Sequence, residues 1–344
     1  MKTQNRRTMR GQDGLSLVEL MVALSIGTFL LAGAITVFAK TRDLYRTNDE
    51  AARLQETARY AMSTIEADLR MANYWGLMSR ADFIQNGPTL DLANLPNVNP
   101  TYTLPAELTG FAATISSCGA MWAVKLPAYI EATNSYTMGC GAFGAGAVAG
   151  SDTLTIRRAS TQVIAAGGLA ASAGQIKLQT SRVQGALFST GTIPAGYAPP
   201  LSETRALVVN GYYISQDTGE NAVERAGTPS LRRKQLDVAG GAPAIADVQI
   251  VPGVEDLQIE LGADFNNDQN ADYFVQPNVA IPAGDQIVAV RVWLLVRAEQ
   301  PDTGYTDSQT YTYGSRTGGA ALTPGDSFHR VLVTKTIALR NTRR

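Results

Sequence analysis

The sequence predicts an α+β protein in which a long N-terminal helix packs on a mostly antiparallel β-sheet domain with long loops. Three observations carry this prediction. Residues 15–39 form an apolar run, helical periodicity continues beyond it to about Asn73, and after Asp152 the pattern changes to alternating strands. The roughly 270 residues outside the helix are enough for one elaborated domain with a sizeable core.

The apolar run, residues 15–39, is long enough to cross a membrane. A helix of about 25 residues spans about 37 Å, and the apolar core of a bilayer is about 30 Å thick. A secretory signal peptide has a shorter apolar core that ends in a small-residue cleavage site, whereas this run continues into Lys40. The preceding residues 1–14 are basic, so we expect a cytoplasmic N-terminus and an external C-terminal domain.

Glu19 is the only charged residue inside the apolar run. A carboxylate in a bilayer costs on the order of 2.5 to 3.5 kcal/mol and therefore calls for a partner. One interpretation is a signal anchor that tolerates an acid near its cytoplasmic end. Alternatively, cleavage after Gly14 gives Leu15 a new α-amino group, and a neighbouring copy displaced along the helix axis could set that amine against Glu19.

The helical pattern continues through residues 40–75 as an amphipathic segment. Polar residues, Glu66 and Asp68 among them, lie mostly between apolar residues spaced three and four apart. The apolar set is Leu54, Ala58, Ala61, Met62, Ile65, Leu69 and Ala72. We expect this face to pack on the chain's own sheet. No proline precedes Pro88, so one continuous helix from about Leu15 to Asn73 is predicted.

The remaining residues, 76–344, are predicted to form one β-rich head domain. From Asp82 to Gly150 the sequence is rich in Gly, Pro, Ala and Asn, which favours loops wrapped on a scaffold. Alternating patterns then predict strands. The predicted strands are Leu154 to Arg157, Ile176 to Gln179, Leu207 to Ile214, Gln235 to Val238, Val254 to Leu261, Ile287 to Val296 and Val331 to Leu339.

Two cysteines, Cys118 and Cys140, belong to the part of the chain expected outside the cytoplasm. Two cysteines in an oxidising compartment usually pair, so a disulfide is predicted. It would close a loop of about twenty residues and stabilise the fold by about 3 kcal/mol. The alternative is a pair of unpaired buried thiols.

An acidic stretch between two predicted strands carries oxygen side chains at every second position. The residues are Asp264, Asn266, Asp268, Asn270 and Asp272. Such oxygens can converge on calcium when the loop coils. Gln269 and Val275 stand where an EF-hand requires glycine and glutamate, so an EF-hand is not supported. The favoured alternative is an Asx-rich hairpin turn between the strands Val254 to Leu261 and Tyr273 to Val275. No cofactor is predicted to be required, and calcium is the candidate ligand.

The composition gives little support for enzymatic or nucleic-acid-binding function. The formal net charge is −1, which creates no field that would attract nucleic acid. Small basic clusters at 232–234 and 340–344 are interpreted as solvated surface. His329 is the only histidine, and the chain has no G-x-S-x-G nucleophile motif. Composition alone does not exclude a hydrolytic Ser/His/Asp set, but no motif favours one.

The segment Gly14-Leu15-Ser16-Leu17-Val18-Glu19-Leu20 resembles the class III signal of type IV pilins and type II secretion pseudopilins. The resemblance implies a pilin-like fold. It also implies that a prepilin peptidase cuts between Gly14 and Leu15 on the cytoplasmic face, that Leu15 is then N-methylated, and that Glu19 aligns subunits. Many major pilins have a helix-bending proline at the twenty-second mature position, where this chain has Thr36.

Further segments resemble the PilW family of type IV pilus assembly proteins. They are Cys118-Gly119 with Trp122, Met138-Gly139-Cys140, the stretch from Gly144 to Leu154, Val254 to Gln258, and Thr336 to Asn341. The resemblance implies a minor pilin, related to pseudopilin J of type II secretion, that is not an enzyme and primes pilus assembly near the filament tip. A tip-displayed binding module and a secretion pseudopilin are the alternatives.

The same resemblance implies partners and a location. The expected partners are other minor pilins and the major pilin through their N-terminal helices, the prepilin peptidase, the pilus assembly platform and the inner membrane. The expected location is the bacterial inner membrane with a periplasmic head, followed by the pilus at the cell surface.

Overall fold

The structure is a computed structural model that describes residues 16–84, 104–197, 200–219, 227–316 and 320–342, apart from the side chain of Asp43. The predicted leader, residues 1–14, and the predicted cleavage site between Gly14 and Leu15 lie outside the described residues. The chain divides into two units, Met1–Arg53 and Leu54–Arg344. Each unit is described by itself below.

Helix α1 covers Leu17–Met71, in agreement with the predicted continuous helix. It begins directly after Ser16, whose Oγ accepts a hydrogen bond from the backbone N–H of Glu19 at 3.2 Å. This is an N-cap contact, which satisfies one of the free donors of the first turn. The helix also continues through Thr36, whose hydroxyl donates to the Ala32 carbonyl oxygen at 2.8 Å.

The first unit presents an apolar surface. All side chains from Leu17 to Arg42 are exposed. Among the described residues, α1 is the one helix whose length and apolar composition would allow it to cross a membrane, with a mean hydropathy of 2.2 over its best window. The hydroxyls of Ser25, Thr28 and Thr41 each donate to the carbonyl four residues earlier. Such internal satisfaction is what a helix in lipid requires.

The second unit contains a seven-stranded antiparallel sheet that branches at β5. Its strands are β1 (Ile130–Thr133), β2 (Thr153–Val163), β3 (Lys177–Ser181), β4 (Gly185–Phe188), β5 (Ser202–Ser215), β6 (Ser230–Ala239) and β7 (Ala242–Pro252). One side of β5 pairs with β2, which pairs with β1. Its other side pairs first with β3 and then with β6, which lead to β4 and β7 respectively.

A four-stranded antiparallel sheet completes the second unit. Its strands are β8 (Val254–Asp264), β9 (Tyr273–Val275), β10 (Gln286–Arg297) and β11 (Arg330–Ala338), in the order β11-β10-β8-β9. Short helical segments lie in the loops: α2 (Ala112–Ile115) and 3-10 turns at Ala81–Phe83, Ala106–Phe111 and Ala166–Gly168. The predicted architecture, a long helix packed on antiparallel sheet, is confirmed.

The chain passes from one sheet to the other at Gly253, between β7 and β8. Gly253 has φ +84°, and a Cβ atom there would lie 2.8 Å from the carbonyl oxygen of Arg297. Its own N–H donates to Pro229 O at 2.7 Å, and its carbonyl accepts from Arg297 N at 2.7 Å. Both the positive φ and the close approach require glycine at this position.

The main core lies between the last part of α1 and both sheets. All seven residues of the predicted apolar stripe, from Leu54 to Ala72, are buried there. A second core covers the opposite face of the seven-stranded sheet with loop residues such as Trp75 and Trp122. The expectation that the stripe packs on the chain's own sheet is therefore confirmed.

The predicted strands all fall on observed ones, but three strands were missed. They are β1, β4 and β7. The loop prediction from Asp82 to Gly150 is wrong at Ile130–Thr133, which pairs with β2. Apart from the buried Pro243, the residues of strand β7 are half-buried, so the strand lacks the alternation of buried and exposed residues that marks a strand. The Gly240-Gly241 turn that joins it to β6 was its available signal.

Candidate functional site

Glu19 lies in the first turn of α1, where the partial positive charge of the helix end favours an acid. Its side chain is exposed among apolar neighbours such as Leu20 and Val22. Its carboxylate has no hydrogen bond or ion pair with any residue that the structure describes. An acid on an apolar surface without a partner fits a role in contacting another molecule, and its subunit-alignment role stays a prediction.

Asp68 lies near the other end of α1 and has the opposite environment. It is 5% exposed and accepts hydrogen bonds from Arg158 Nη2 at 2.7 Å, Asn210 Nδ2 at 2.5 Å and Tyr212 Oη at 2.5 Å. Burial, with the charge of Asp68 adding to it, raises the pKa of Tyr212 well above its usual range. We call these four residues the Asp68 clasp. It fixes the helix to β2 and β5.

A second set of contacts fixes the same helix end beside β11. Lys335 Nζ donates to Glu66 Oε2 at 2.6 Å, and this hydrogen bond is the main cause of a lowered pKa at Glu66. Further along, Asn341 Nδ2 donates to the Ala72 carbonyl oxygen at 3.1 Å. Because Glu66 meets Lys335 and Ala72 meets Asn341, the helix end and β11 run in the same direction.

Ser151 and Asp152 join the two sheets immediately before β2. The Asp152 N–H donates to Leu257 O at 2.8 Å, Leu257 N–H donates to Ser151 Oγ at 3.0 Å, and Ile259 N–H donates to Asp152 Oδ2 at 2.7 Å. These contacts occupy part of the β8 edge that β9 leaves open. They give Ser151 and Asp152, within the Gly144-to-Leu154 segment that resembles the PilW family, a structural role in joining the sheets.

Asp152 is fully buried, and its Oδ1 has no hydrogen-bond partner among the described residues. Burial raises the pKa of Asp152 to about 7, with the nearby charge of Asp256 adding to the effect and the Ile259 hydrogen bond opposing it. A carboxyl group in such surroundings favours its neutral form. Stability that depends on this group should therefore depend on pH near neutrality.

The predicted disulfide between Cys118 and Cys140 is confirmed, with a sequence separation of 22. It joins the segment after α2 to the segment after β1. Next to it, Trp122 and Met138 pack over Gly211 of β5, where a Cβ atom would lie 3.1 and 3.0 Å from them. The bond therefore closes a loop that covers the outer face of the seven-stranded sheet.

The Asp-rich stretch forms the turn between β8 and β9. Asp264 accepts backbone N–H bonds from Asn266, Asn267 and Gln269, at 3.1, 2.6 and 2.8 Å. Asp272 closes the turn by accepting the Phe265 N–H at 2.9 Å. Asn266 and Asp268 likewise each accept the N–H two residues ahead. These contacts are those of the Asx-rich hairpin turn, and the calcium site at Asp264, Asn266, Asp268, Asn270 and Asp272 stays a prediction.

Comparison with known families agrees with both sequence resemblances. Residues 211–341 match the family model of Type IV Pilus-assembly protein W, PilW, and residues 9–35 match the prokaryotic N-terminal methylation motif. Residues 211–341 are thus a PilW-type domain, and residues 9–35 carry a prepilin-type N-terminal motif. The family match includes β6 to β11, and the motif match includes Glu19.

Two individual proteins from Thermus thermophilus are similar to this PilW-type chain. The pilin-like protein PilA3 is 39% identical over 64 residues, which is 18% of this chain and 28% of that protein. The chain therefore matches little more than a quarter of that relative's length. The type IV-like pilin TTHA1219 aligns over 56% of this chain and 79% of its own with 14% identity and a TM-score of 0.28.

One basic cluster differs from its sequence interpretation. Arg232 and Lys234 of the PilW-type domain are buried, and both pair with Asp247, at 2.9 and 2.6 Å. The Arg232 guanidinium also lies 3.7 Å from the ring centre of Phe143. The expectation of solvated surface is thus wrong for these two residues, because one acid and one aromatic ring within the fold satisfy their charge.

Sequence reasoning did not single out Asp68 or Asp152. A signal for Asp68 was available, since it follows Ile65 by three residues and Ala61 by seven and therefore shares their buried face. No sequence pattern predicts the burial of Asp152, because its partners lie about a hundred residues further along the chain. Both acids act within the fold of the head, whereas Glu19 was visible from the sequence.

Proposed function

We propose that this PilW-type chain is a non-catalytic minor pilin that helps form the complex priming type IV pilus assembly and lies near the pilus tip. The observation that carries the proposal is the exposed apolar surface of α1 with the unpartnered Glu19 in its first turn. Such a surface is stable only in lipid or against other apolar helices.

In this proposal the chain is first inserted in the bacterial inner membrane. Residues 15–39 cross the membrane, residues 1–14 form the cytoplasmic leader, and residues 76–344 form the periplasmic head. Prepilin peptidase removes the leader between Gly14 and Leu15 and methylates the new N-terminus. Residues 40–75 continue the helix outward, and the head folds around its last part.

Glu19 then aligns subunits by charge. The methylated amine of Leu15 remains a cation, and a carboxylate on an apolar surface gains most from such a partner where water is excluded. The pair forms only between subunits that are displaced along the helix axis. In this way one charge selects the axial register of helices that are otherwise held by non-directional apolar contacts.

The head argues for a place at the filament end. It comprises most of the second unit, Leu54–Arg344. A large head is hard to accommodate in the packed body of a fibre and fits at its open end. There the proposed partners are other minor pilins and the major pilin, with the assembly platform supplying subunits from the membrane.

The test replaces Glu19 in the host bacterium and keeps the leader intact. We expect Glu19→Ala to be cleaved normally, as measured by the mass of the mature chain. Fewer minor pilins should be recovered in complex with it, and the cells should produce fewer surface pili. Glu56→Ala is the matched control, because Glu56 is an exposed acid on the same helix beyond the apolar run. Unchanged complex recovery in Glu19→Ala would refute the alignment role.

Deletion of the gene separates the proposed role from its alternatives. Loss of surface pili supports assembly. Normal pili with lost adhesion would instead indicate a tip-displayed binding module, and normal pili with lost protein secretion would indicate a pseudopilin J-like subunit.

A further inference from the structure

Strand β11 (Arg330–Ala338) forms an edge of the four-stranded sheet. It pairs with β10 along its whole length without a register shift. On its other side no described residue pairs with its backbone, and Thr334, Lys335, Thr336 and Ala338 are exposed. The edge therefore offers a row of free backbone donors and acceptors.

The register shows which backbone groups point outward. Leu339 N–H donates to Val288 O, and Ala298 N–H donates to His329 O, both at 2.8 Å. Since backbone groups alternate in direction along a strand, the odd-numbered residues of β11 bond to β10. The even-numbered residues, Thr334 and Thr336 among them, direct their N–H and C=O groups away from the sheet.

This edge lacks three of the usual protections against strand pairing. Exposed edges are commonly guarded by proline, bulges, inward charges or short length. Strand β11 has nine residues, no proline and no bulge. Its charges give limited protection, because the half-exposed Lys335 pairs with Glu66 and the Arg330 side chain is buried against Glu255 and Asp326.

The other described sheet edges differ. Strand β7 contains Pro243 and Pro252 and pairs with β6 through a register shift. Strands β1, β4 and β9 are only three or four residues long. Strand β11 is therefore the long, regular edge that has been left open, and its Val331, Val333 and Ile337 give it high β propensity.

We propose that the outer edge of β11 receives a β-strand from a different pilus subunit, which extends the four-stranded sheet by strand addition. Main-chain hydrogen bonds from Thr334 and Thr336 supply the affinity, and the exposed side chains beside them select the partner. The choice of a different subunit over a second copy rests on the proposed function.

The direction of α1 supplies the reason for that choice. The helix end runs in the same direction as β11, as the contacts of Lys335 with Glu66 and of Asn341 with Ala72 show. Antiparallel pairing of β11 with β11 of a second copy would reverse the helix end of that copy. Heads that assemble in one orientation, as the proposed function requires, do not pair in this way, whereas an opposed strand on another subunit meets no such conflict.

The experiment places a photo-crosslinking amino acid at Thr336 of the full chain in the host bacterium. The matched control position is Val183, which is 73% exposed in the turn between β3 and β4. We expect irradiation to link Thr336 to a β-strand of another pilus subunit, identified by peptide mass, and Val183 to give no such product.

A second substitution tests the backbone edge itself. Thr334→Pro removes an outward N–H and leaves the hydrogen bonds to β10 intact. Because one hydrogen bond to the added strand is lost, the crosslink yield should fall about tenfold. Thr334→Val keeps the N–H and should leave the yield unchanged. If Thr334→Pro lowers the melting temperature, Thr334→Lys provides a folded variant with a guarded edge and should also lower the yield.

Three results would overturn the proposal: a product from Thr336 no stronger than that from Val183, a product between two copies of this chain, or a yield that persists in both edge variants. The Glu19→Ala result is scored on pilus number and complex recovery, whereas the crosslink is scored on the linked peptide. Failure of strand addition is therefore distinguishable from failure of the assembly role.

Discussion

Glu19 and Asp68 are two acids on one helix, and their surroundings are opposite. Asp68 is buried and accepts hydrogen bonds from Arg158, Asn210 and Tyr212. Glu19 is exposed on an apolar surface and has no partner among the described residues. The charge of the first is satisfied within its own chain, whereas the charge of the second calls for another molecule.

The two ends of α1 have different contacts, and the proposed function assigns assembly to the first end only. The end of α1 that carries Asp68 holds the head together through contacts with both sheets. The beginning of α1 satisfies its hydroxyls internally and leaves its apolar surface uncovered. Substitutions at the two acids should accordingly affect different measurements.

Asp68→Ala should have the largest effect on the stability of the head. It leaves the Arg158 guanidinium without its acid and removes the acceptor of Asn210 and Tyr212, so we expect the free energy of unfolding to fall by about 3 to 5 kcal/mol. Denaturant unfolding of the purified full chain in detergent measures the change. Glu19→Ala is the control and should change the free energy by less than about 0.5 kcal/mol. Equal losses in the two variants would contradict the separation.

The sequence predicted the elements whose signal is local. The apolar helix with Glu19, the buried stripe from Leu54 to Ala72 and the long strands β8 and β10 each follow from a pattern within a few turns or residues. Asp68 was grouped with the polar residues, because its partners on β2 and β5 follow it by 90 or more residues. The helical spacing places Asp68 on the buried face, but its hydrogen-bond donors are apparent only once the fold has brought them together.

Asp152→Asn should show how a second buried acid of the head makes its stability depend on pH. The folded pKa of Asp152, about 7, lies above the ordinary value of 3.8 for an aspartic acid. The wild-type head therefore has the full contribution of this group below about pH 4 and loses it as pH rises through about 7. The amide keeps an acceptor for the Ile259 N–H and does not ionise.

We expect the variant and the wild type to have similar stability near pH 4. The variant should be the more stable of the two at pH 8, by up to about 4 kcal/mol. Unfolding of both proteins across this pH range is the measurement. A constant difference between them would show that Asp152 does not titrate in the folded head. Glu19→Ala should follow the wild-type pH profile.

Strand β7 shows a different limit of sequence reasoning. Its residues other than Pro243 are half-buried, so neither face gives an apolar pattern. Its place is fixed by pairing with β6 and by the passage through Gly253 into β8. Contacts between strands, rather than the strand's own composition, determine that it forms.

Loss of the Cys118–Cys140 bond should have the smallest effect of the three and should be confined to the outer loops. The bond closes a loop of 22 residues, and its replacement by two serines should lower the free energy of unfolding by about 3 kcal/mol through the entropy of the unfolded chain. Reductant should lower the stability of the wild type by a similar amount and leave the double variant unchanged. The bond lies on the face of the seven-stranded sheet opposite the helix. Without it, the segment of α1 from Leu54 to Met71 should therefore stay more protected from amide exchange than the outer loops. If that segment instead loses protection before the loops around Trp122, the disulfide and the Asp68 clasp are coupled, and the head responds as one cooperative unit.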